Sequence, residues 1–233
     1  EATGTVIGGS QKNQISNGLV GFWSFNGPDI DGNRAIDRSG QGNDGTITGA
    51  IPDGGKVGQA LSFDGVDDYV DIPDSGSIRT NGDFTVSAWV KMDYYPSGYY
   101  PQIVSAESSI CYYSWDLRVN LSQQFQLSIE PSGTCNYFYR TINSGTVILG
   151  KWYHVAGTWD NTEGRARLYI DGSQVGTFQD ANGRYSHDAG IWIGSTKSGN
   201  DWGRPWDGII DEVRLYDRAL SAEEVKRLYN LGR

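Results

Sequence analysis

Within Gly208-Ile-Ile-Asp-Glu-Val-Arg-Leu-Tyr216 one carboxylate, Asp211, interrupts an apolar strand pattern. Alternate side chains of a strand share a face, so Asp211 is expected to join Ile209, Val213 and Leu215 in the row that enters a core. An unpaired anion there would cost several kcal/mol, so the pattern calls for a cation. The best companion is the loop Asp37-Arg-Ser-Gly-Gln-Gly-Asn-Asp-Gly45. Its glycines let the backbone fold so that carbonyls converge, while Asp37 and Asn43 add side-chain oxygens. Such a mixed oxygen set suits Ca²⁺ acting as a structural ion. The expected metal ligands are Asp37, Asn43 and Asp211, with Asp64 of the Phe-Asp-Gly turn as a weaker candidate. The competing reading has Asp37 capping a turn and Asp211 accepting backbone hydrogen bonds.

Other metal chemistry fits poorly. Asp29-Ile-Asp-Gly-Asn33 begins like an EF-hand, but Arg34 stands where Gly is needed and Gly40 where a bidentate Glu is needed. His154 and His187 lie far apart in sequence, and Cys111 and Cys135 lack zinc-finger spacing. The two cysteines bracket strand-like runs and suit one disulfide in an oxidising compartment, the alternative being two buried thiols.

Three segments have the composition of a sugar site, where a flat aromatic meets amides, carboxylates or Arg. They are Tyr94-Tyr-Pro-Ser-Gly-Tyr-Tyr100, Cys111-Tyr-Tyr-Ser-Trp115 with Asn136-Tyr-Phe-Tyr-Arg140, and Asn200-Asp-Trp-Gly-Arg-Pro-Trp206. The candidate ligand-binding residues are therefore Tyr99, Tyr100, Trp115, Tyr137, Trp202, Arg204 and Trp206. Trp202 with Arg204 leads, because Gly203 and Pro205 should keep that ring on a loop. The alternative is that these rings cover the edge of the fold and pack on one another.

The elements that must position these groups are strands. Short apolar runs recur from Leu19 onward, separated by Gly, Asn and Asp, which indicates an all-β sandwich or barrel. Phe84-Thr-Val-Ser-Ala-Trp-Val90 alternates most clearly, and Asp171-Gly172 is the strongest hairpin turn. One helix is expected, over about Ala222 to Leu228, with Ser221 and Glu224 as a capping box and Leu220 stapled to Val225. Residues 1–18 read as a linker or flexible N-terminus, and 19–233 as one domain. The formal charge of −9, with no basic run, argues against nucleic acid and against an anionic membrane surface. No stretch approaches the roughly 20 apolar residues of a membrane span.

Seven phrases occur in order: Gly21-Phe-Trp-Ser-Phe25, Asp37 to Gly45, Gly58-Gln-Ala-Leu-Ser-Phe-Asp-Gly65 with Asp68-Tyr-Val70, Phe84 to Val90, Trp152-Tyr-His-Val-Ala156, Leu168-Tyr-Ile-Asp-Gly172 and Gly208 to Tyr216. Together they resemble the laminin G-like, concanavalin A-like domains that serve as accessory modules in secreted bacterial proteins. The resemblance covers roughly residues 19 to 231. It implies a jelly-roll sandwich of two antiparallel sheets, one calcium ion between the Asp37 loop and Asp211, and a binding role. Glycanases of this fold carry Glu-x-Asp-x-Glu or a close variant along one strand, and no such run occurs here. No nucleophile elbow appears either. The expected function is thus a non-catalytic, extracellular module for a polysaccharide or glycoprotein glycan. The alternatives are a structural or adhesive domain with a protein partner and, less favoured, a divergent hydrolase or lyase.

Overall fold

The computed structural model describes residues 15–106, 114–130, 140–180, 183, 189–196 and 204–233. In chain order the strands are β1 (Leu19–Trp23), β2 (Ile30–Asp31), β3 (Arg34–Ala35), β4 (Gly45–Thr48), β5 (Ile51–Gly54), β6 (Gln59–Asp64), β7 (Tyr69–Ile72), β8 (Phe84–Met92) and β9 (Gln102–Ala106). They continue as β10 (Trp115–Val119), β11 (Gln124–Ile129), β12 (Arg140–Thr146), β13 (Trp152–Asp160), β14 (Arg165–Ile170), β15 (Ser173–Gln179), β16 (Ile191–Ile193) and β17 (Asp207–Tyr216). Helix α1 (Ala222–Leu231) ends the chain.

Two antiparallel sheets form a jelly-roll sandwich. One has eight strands in the order β15-β14-β13-β8-β17-β6-β5, with β1 paired to β17; the other has nine, in the order β12-β11-β10-β9-β16-β7-β4-β3-β2. The alternation of β8 works as its sequence implies: Phe84, Val86, Ala88 and Val90 enter the core between the sheets. Thr85, Ser87 and Trp89 take the opposite face, which α1 covers through Val225 and Leu228 packed on Tyr169 and Tyr216. The turn between β14 and β15 has positive φ at both Asp171 (51°) and Gly172 (74°), as a two-residue hairpin requires. Helix α1 carries the expected capping box and runs three residues further than expected, to Leu231. Ile15 packs against the helix cluster, and the Gly18 carbonyl accepts from the N–H of Asp217.

Asp211 corrects the strand reading. Opposite β8, Asp211 pairs with Trp89 but Arg214 pairs with Ser87, so three steps on β17 match two on β8. This bulge, with Glu212 at φ 53°, inverts the alternation. Ile210, Val213 and Leu215 enter the core, whereas Asp211 lies on the opposite face beside Trp89. It is fully buried there as well.

Candidate functional site

The structure gives the expected metal ligands separate surroundings. Both oxygens of Asp37 are engaged: Oδ1 accepts from the backbone N–H of Phe22 (2.9 Å) and Ser39 (2.8 Å), and Oδ2 from Ser39 Oγ (2.7 Å) and the N–H of Asn43 (2.9 Å). Asn43 donates to the Val20 carbonyl at 2.7 Å, and its Oδ1 accepts from Ser75 and Ser77. These two side chains brace a turn, so they do not fit a cation, which would have to displace their donors. Asp64 belongs to another group, with Asp67 and Asp68, whose carboxylate oxygens lie within 4.8 Å of one another.

Asp211 instead meets the loop between β5 and β6. Its Oδ2 accepts from the N–H of Val57 at 2.8 Å, and Gly55 packs so closely that a Cβ there would lie 2.7 Å from that oxygen. Oδ1 is buried without a hydrogen-bond partner. Burial, against the backbone donor of Val57, pushes the carboxyl up to about 7. A shielded, unpaired carboxylate oxygen is the donor type a hard cation takes, and Asp211 supplies a single such oxygen. The unsatisfied oxygen belongs to Asp211, whereas both oxygens of Asp37 are already hydrogen-bonded.

The aromatic candidates divide sharply. Trp115 is fully buried, stacks on Phe84 with centroids 4.8 Å apart and donates to Thr80 Oγ1. Trp206 is also fully buried, inside the core. Neither offers a face to a ligand, because each lies on an inward-pointing strand position or under the sheet end. Trp202, Tyr137, Cys111 and Cys135 lie outside the described residues. Tyr99 is half-buried and its hydroxyl donates to the Gly65 carbonyl at 3.4 Å. Tyr100 and Arg204 do come together: the guanidinium of Arg204 lies 5.8 Å from the Tyr100 ring centroid, and that of Arg118 lies 4.6 Å from it.

Arg118 is a residue that sequence reasoning missed, and it belongs to a larger polar layer that is mostly buried. Trp115, Leu117 and Val119 of β10 enter the core, as do Phe125, Leu127 and Ile129 of β11. The residues between them must share the outer face of the nine-stranded sheet. Cross-strand pairing arranges them in two rows. One runs Gln102, Arg118, Gln126, Asn143; the other runs Asp71, Trp192, Ser105, Asp116, Ser128, Thr141.

The first row is tightly connected. Arg118 Nε donates to Gln126 Oε1 at 2.7 Å, Arg118 NH1 reaches Asp116 Oδ2 at 3.1 Å, and Gln126 Nε2 donates to Asn143 Oδ1 at 2.7 Å. Asp116 is fully buried; burial raises its carboxyl pKa, against the opposing influence of Arg118. Chemically this is a mostly buried layer of planar amides and one ion pair, bordered by a half-buried tyrosine flanked by two guanidiniums. The sequence signal was the polar alternation in Trp115-Asp-Leu-Arg-Val119 and Phe125-Gln-Leu-Ser-Ile129.

A family model described as the concanavalin A-like lectin/glucanases superfamily matches residues 64–226, most of the chain and both sheets of the sandwich. The chain belongs to this superfamily. Among curated relatives, mouse pentraxin-related protein PTX3 is 33% identical over 88 residues, which are 34% of this chain and 23% of PTX3. Human PTX3 is 30% identical over 95 residues, 37% of this chain and 25% of PTX3. The chain thus spans about a quarter of the relatives it matches. Solved structures share the fold. The binding domain of Paraclostridial Mosquitocidal Protein 1 superposes with a TM-score of 0.73 at 16% identity, over 94% of this chain and 53% of that one. Domain 4 of AbnA, an extracellular arabinanase from Geobacillus stearothermophilus solved with arabinotriose, gives 0.68 at 22% identity, over 91% and 98%. Trypanosoma rangeli sialidase in complex with sialic acid gives 0.70 at 22% identity, over 91% of this chain and 33% of the enzyme. Among the described residues, no helix is long and apolar enough to cross a membrane.

Proposed function

We propose that this superfamily member is a non-catalytic carbohydrate-binding module of a secreted or cell-surface protein. Its ligand would be a neutral polysaccharide or glycoprotein glycan, held on the outer face of the nine-stranded sheet. The observation that carries the reading is the approach of Arg118 and Arg204 to the half-buried Tyr100 ring, at the end of a row of hydrogen-bonding amides. Sugars offer apolar ring faces and polar rims, and such sites combine an aromatic with a few oriented polar groups. The arabinotriose complex of AbnA domain 4 supports the ligand class by analogy of fold. Retention on a panel of insoluble polysaccharides tests it. Tyr100→Ala and Arg204→Ala should each weaken retention about tenfold with little change in melting temperature, and wild-type strength in both variants would reject this location.

Structural calcium belongs to the same proposal, moved to Asp211. The orphan Oδ1 would supply its one carboxylate oxygen, and the ion would neutralise a charge that burial disfavours. Binding only the folded state stabilises by mass action. EDTA should therefore lower the melting temperature of the wild type, and Asp211→Asn should melt alike with and without calcium. A wild-type melt indifferent to EDTA and to added calcium would remove the ion from the account.

A second reading, an adhesive domain with a protein partner, is favoured by one observation. Val66, Tyr94, Leu121, Ile148 and Leu149 are exposed on loops tied together by bonds from the Tyr95 hydroxyl to the Val147 carbonyl, from the Val147 N–H to the Gln123 carbonyl and from the Tyr99 hydroxyl to the Gly65 carbonyl. Exposed apolar groups concentrated at one end mark contact surfaces. No retention on any polysaccharide, with capture of a protein lost on Ile148→Ser and Leu149→Ser, would favour it over the glycan.

A further inference from the structure

Gln102 occupies the buried end of the amide row. It is fully buried at the start of β9, pairs across the sheet with Arg118, and its backbone N–H donates to the Arg204 carbonyl at 3.0 Å. Both atoms of its side-chain amide, Oε1 and Nε2, are shielded from solvent and have no hydrogen-bond partner. In the neighbouring row, Asp116 Oδ1 is in the same condition. A buried polar atom left unsatisfied costs about 1–3 kcal/mol, and native proteins rarely retain several at one place without a use for them.

A primary amide presents one acceptor and one donor side by side. Its complement must offer a donor and an acceptor on the same side at matching spacing. Two hydroxyls on adjacent sugar carbons do so, since each can donate or accept. A secondary amide such as an acetamido group points its N–H and C=O in opposite directions and can satisfy only one of the two atoms. A carboxylate offers acceptors alone, would leave Oε1 unpaired and would face Asp116. We infer that Gln102 is a specificity-determining residue that reads a free vicinal diol on a neutral saccharide, with Asp116 Oδ1 accepting from a further hydroxyl.

The inference rests on the carbohydrate reading above and names the ligand chemistry of that site. Because Gln102 is sealed in the free protein, engagement requires the groups that cover its side chain to rearrange. A site built around buried hydrogen-bonding groups discriminates strongly against ligands that leave those groups unpaired.

Linkage chemistry supplies the test. Linear 1,4-linked xylan and 1,5-linked arabinan keep free adjacent hydroxyls along the chain, whereas linear 1,3-linked β-glucan does not. Periodate followed by borohydride destroys the diols and leaves no aldehydes. The full chain should be retained on xylan or arabinan and not on 1,3-β-glucan, and periodate treatment should abolish that retention. Gln102→Leu, which replaces an unsatisfied amide by an apolar isostere and should keep or raise the melting temperature, should weaken retention about tenfold or more. Gln102→Glu, which keeps the acceptor and loses the donor at neutral pH, should also bind more weakly than wild type. Retention that survives periodate, or wild-type retention in both variants, would overturn the inference and leave the carbohydrate reading standing. Absence of retention on every polysaccharide would overturn both.

Discussion

His154 is 1% exposed, lies against Trp89 with centroids 5.4 Å apart and against Tyr229 at 6.2 Å, and its Nδ1 has no hydrogen-bond partner. Burial, reinforced by the positive charge of Arg214, pulls its pKa down to about 3. In the unfolded chain the same imidazole titrates near the ordinary value of 6.5. Between those two values the unfolded state binds more protons, so stability rises with pH and is lost as pH falls from about 6.5 towards 3. The loss should amount to several kcal/mol, since each tenfold difference in proton affinity between the folded and unfolded chain is worth about 1.4 kcal/mol. Urea denaturation at pH 4 and pH 7 should show this slope, and His154→Leu should flatten it whatever its absolute stability. An unchanged slope would mean that the imidazole is solvated or charged in the folded protein. The phrase Trp152-Tyr-His-Val-Ala156 places His154 on a strand but does not make it neutral: its burial comes from α1 lying over the eight-stranded sheet.

At the scale of elements, the helix and the hairpin were legible because their determinants are local. Ser221 Oγ accepts from the N–H of Glu224 at 3.3 Å, and Glu224 Oε2 accepts from the N–H of Ser221 at 2.9 Å. Arg218 adds a bidentate pair to the same carboxylate, at 2.6 and 2.9 Å, and lowers its pKa. Ser221→Ala should cost about 1 kcal/mol, seen as a lower urea midpoint with an unchanged m-value. No change in midpoint would mean that packing of Val225 and Leu228 alone holds the helix. Strand β17 shows the opposite case. Its period-2 pattern is broken by a bulge at Glu212, and one extra residue was enough to send Asp211 to the other face. Nothing in Ile-Asp-Glu-Val announces that step, because a bulge is defined against the partner strand. The short strands β2 to β5 are equally poor in apolar residues and carried no periodic signal of their own; they exist by pairing at the ends of the two sheets, where β2 and β5 are the edge strands.

For the whole molecule, the order of phrases along the chain determined the superfamily, the all-β sandwich and the position of the closing helix. The sandwich and the helix follow from alternation, turn residues and caps, which act between neighbours in sequence, and the superfamily from the resemblance that the ordered phrases carry. The tertiary structure alone decided where chemistry could occur. Trp115 and Trp206 have the composition of sugar platforms, but strand direction turns both inward. Tyr100 and Arg204 are 104 positions apart in sequence and meet because the chain from Arg204 crosses the start of β9, through the bond from Gln102 N–H to the Arg204 carbonyl. Asp37 and Asp211 both proved to be buried, as their setting required, yet each is held by its own loop. Burial can be inferred from a pattern along one strand. Which buried groups face each other depends on the pairing of strands distant in sequence, and a single register step reassigns every partner.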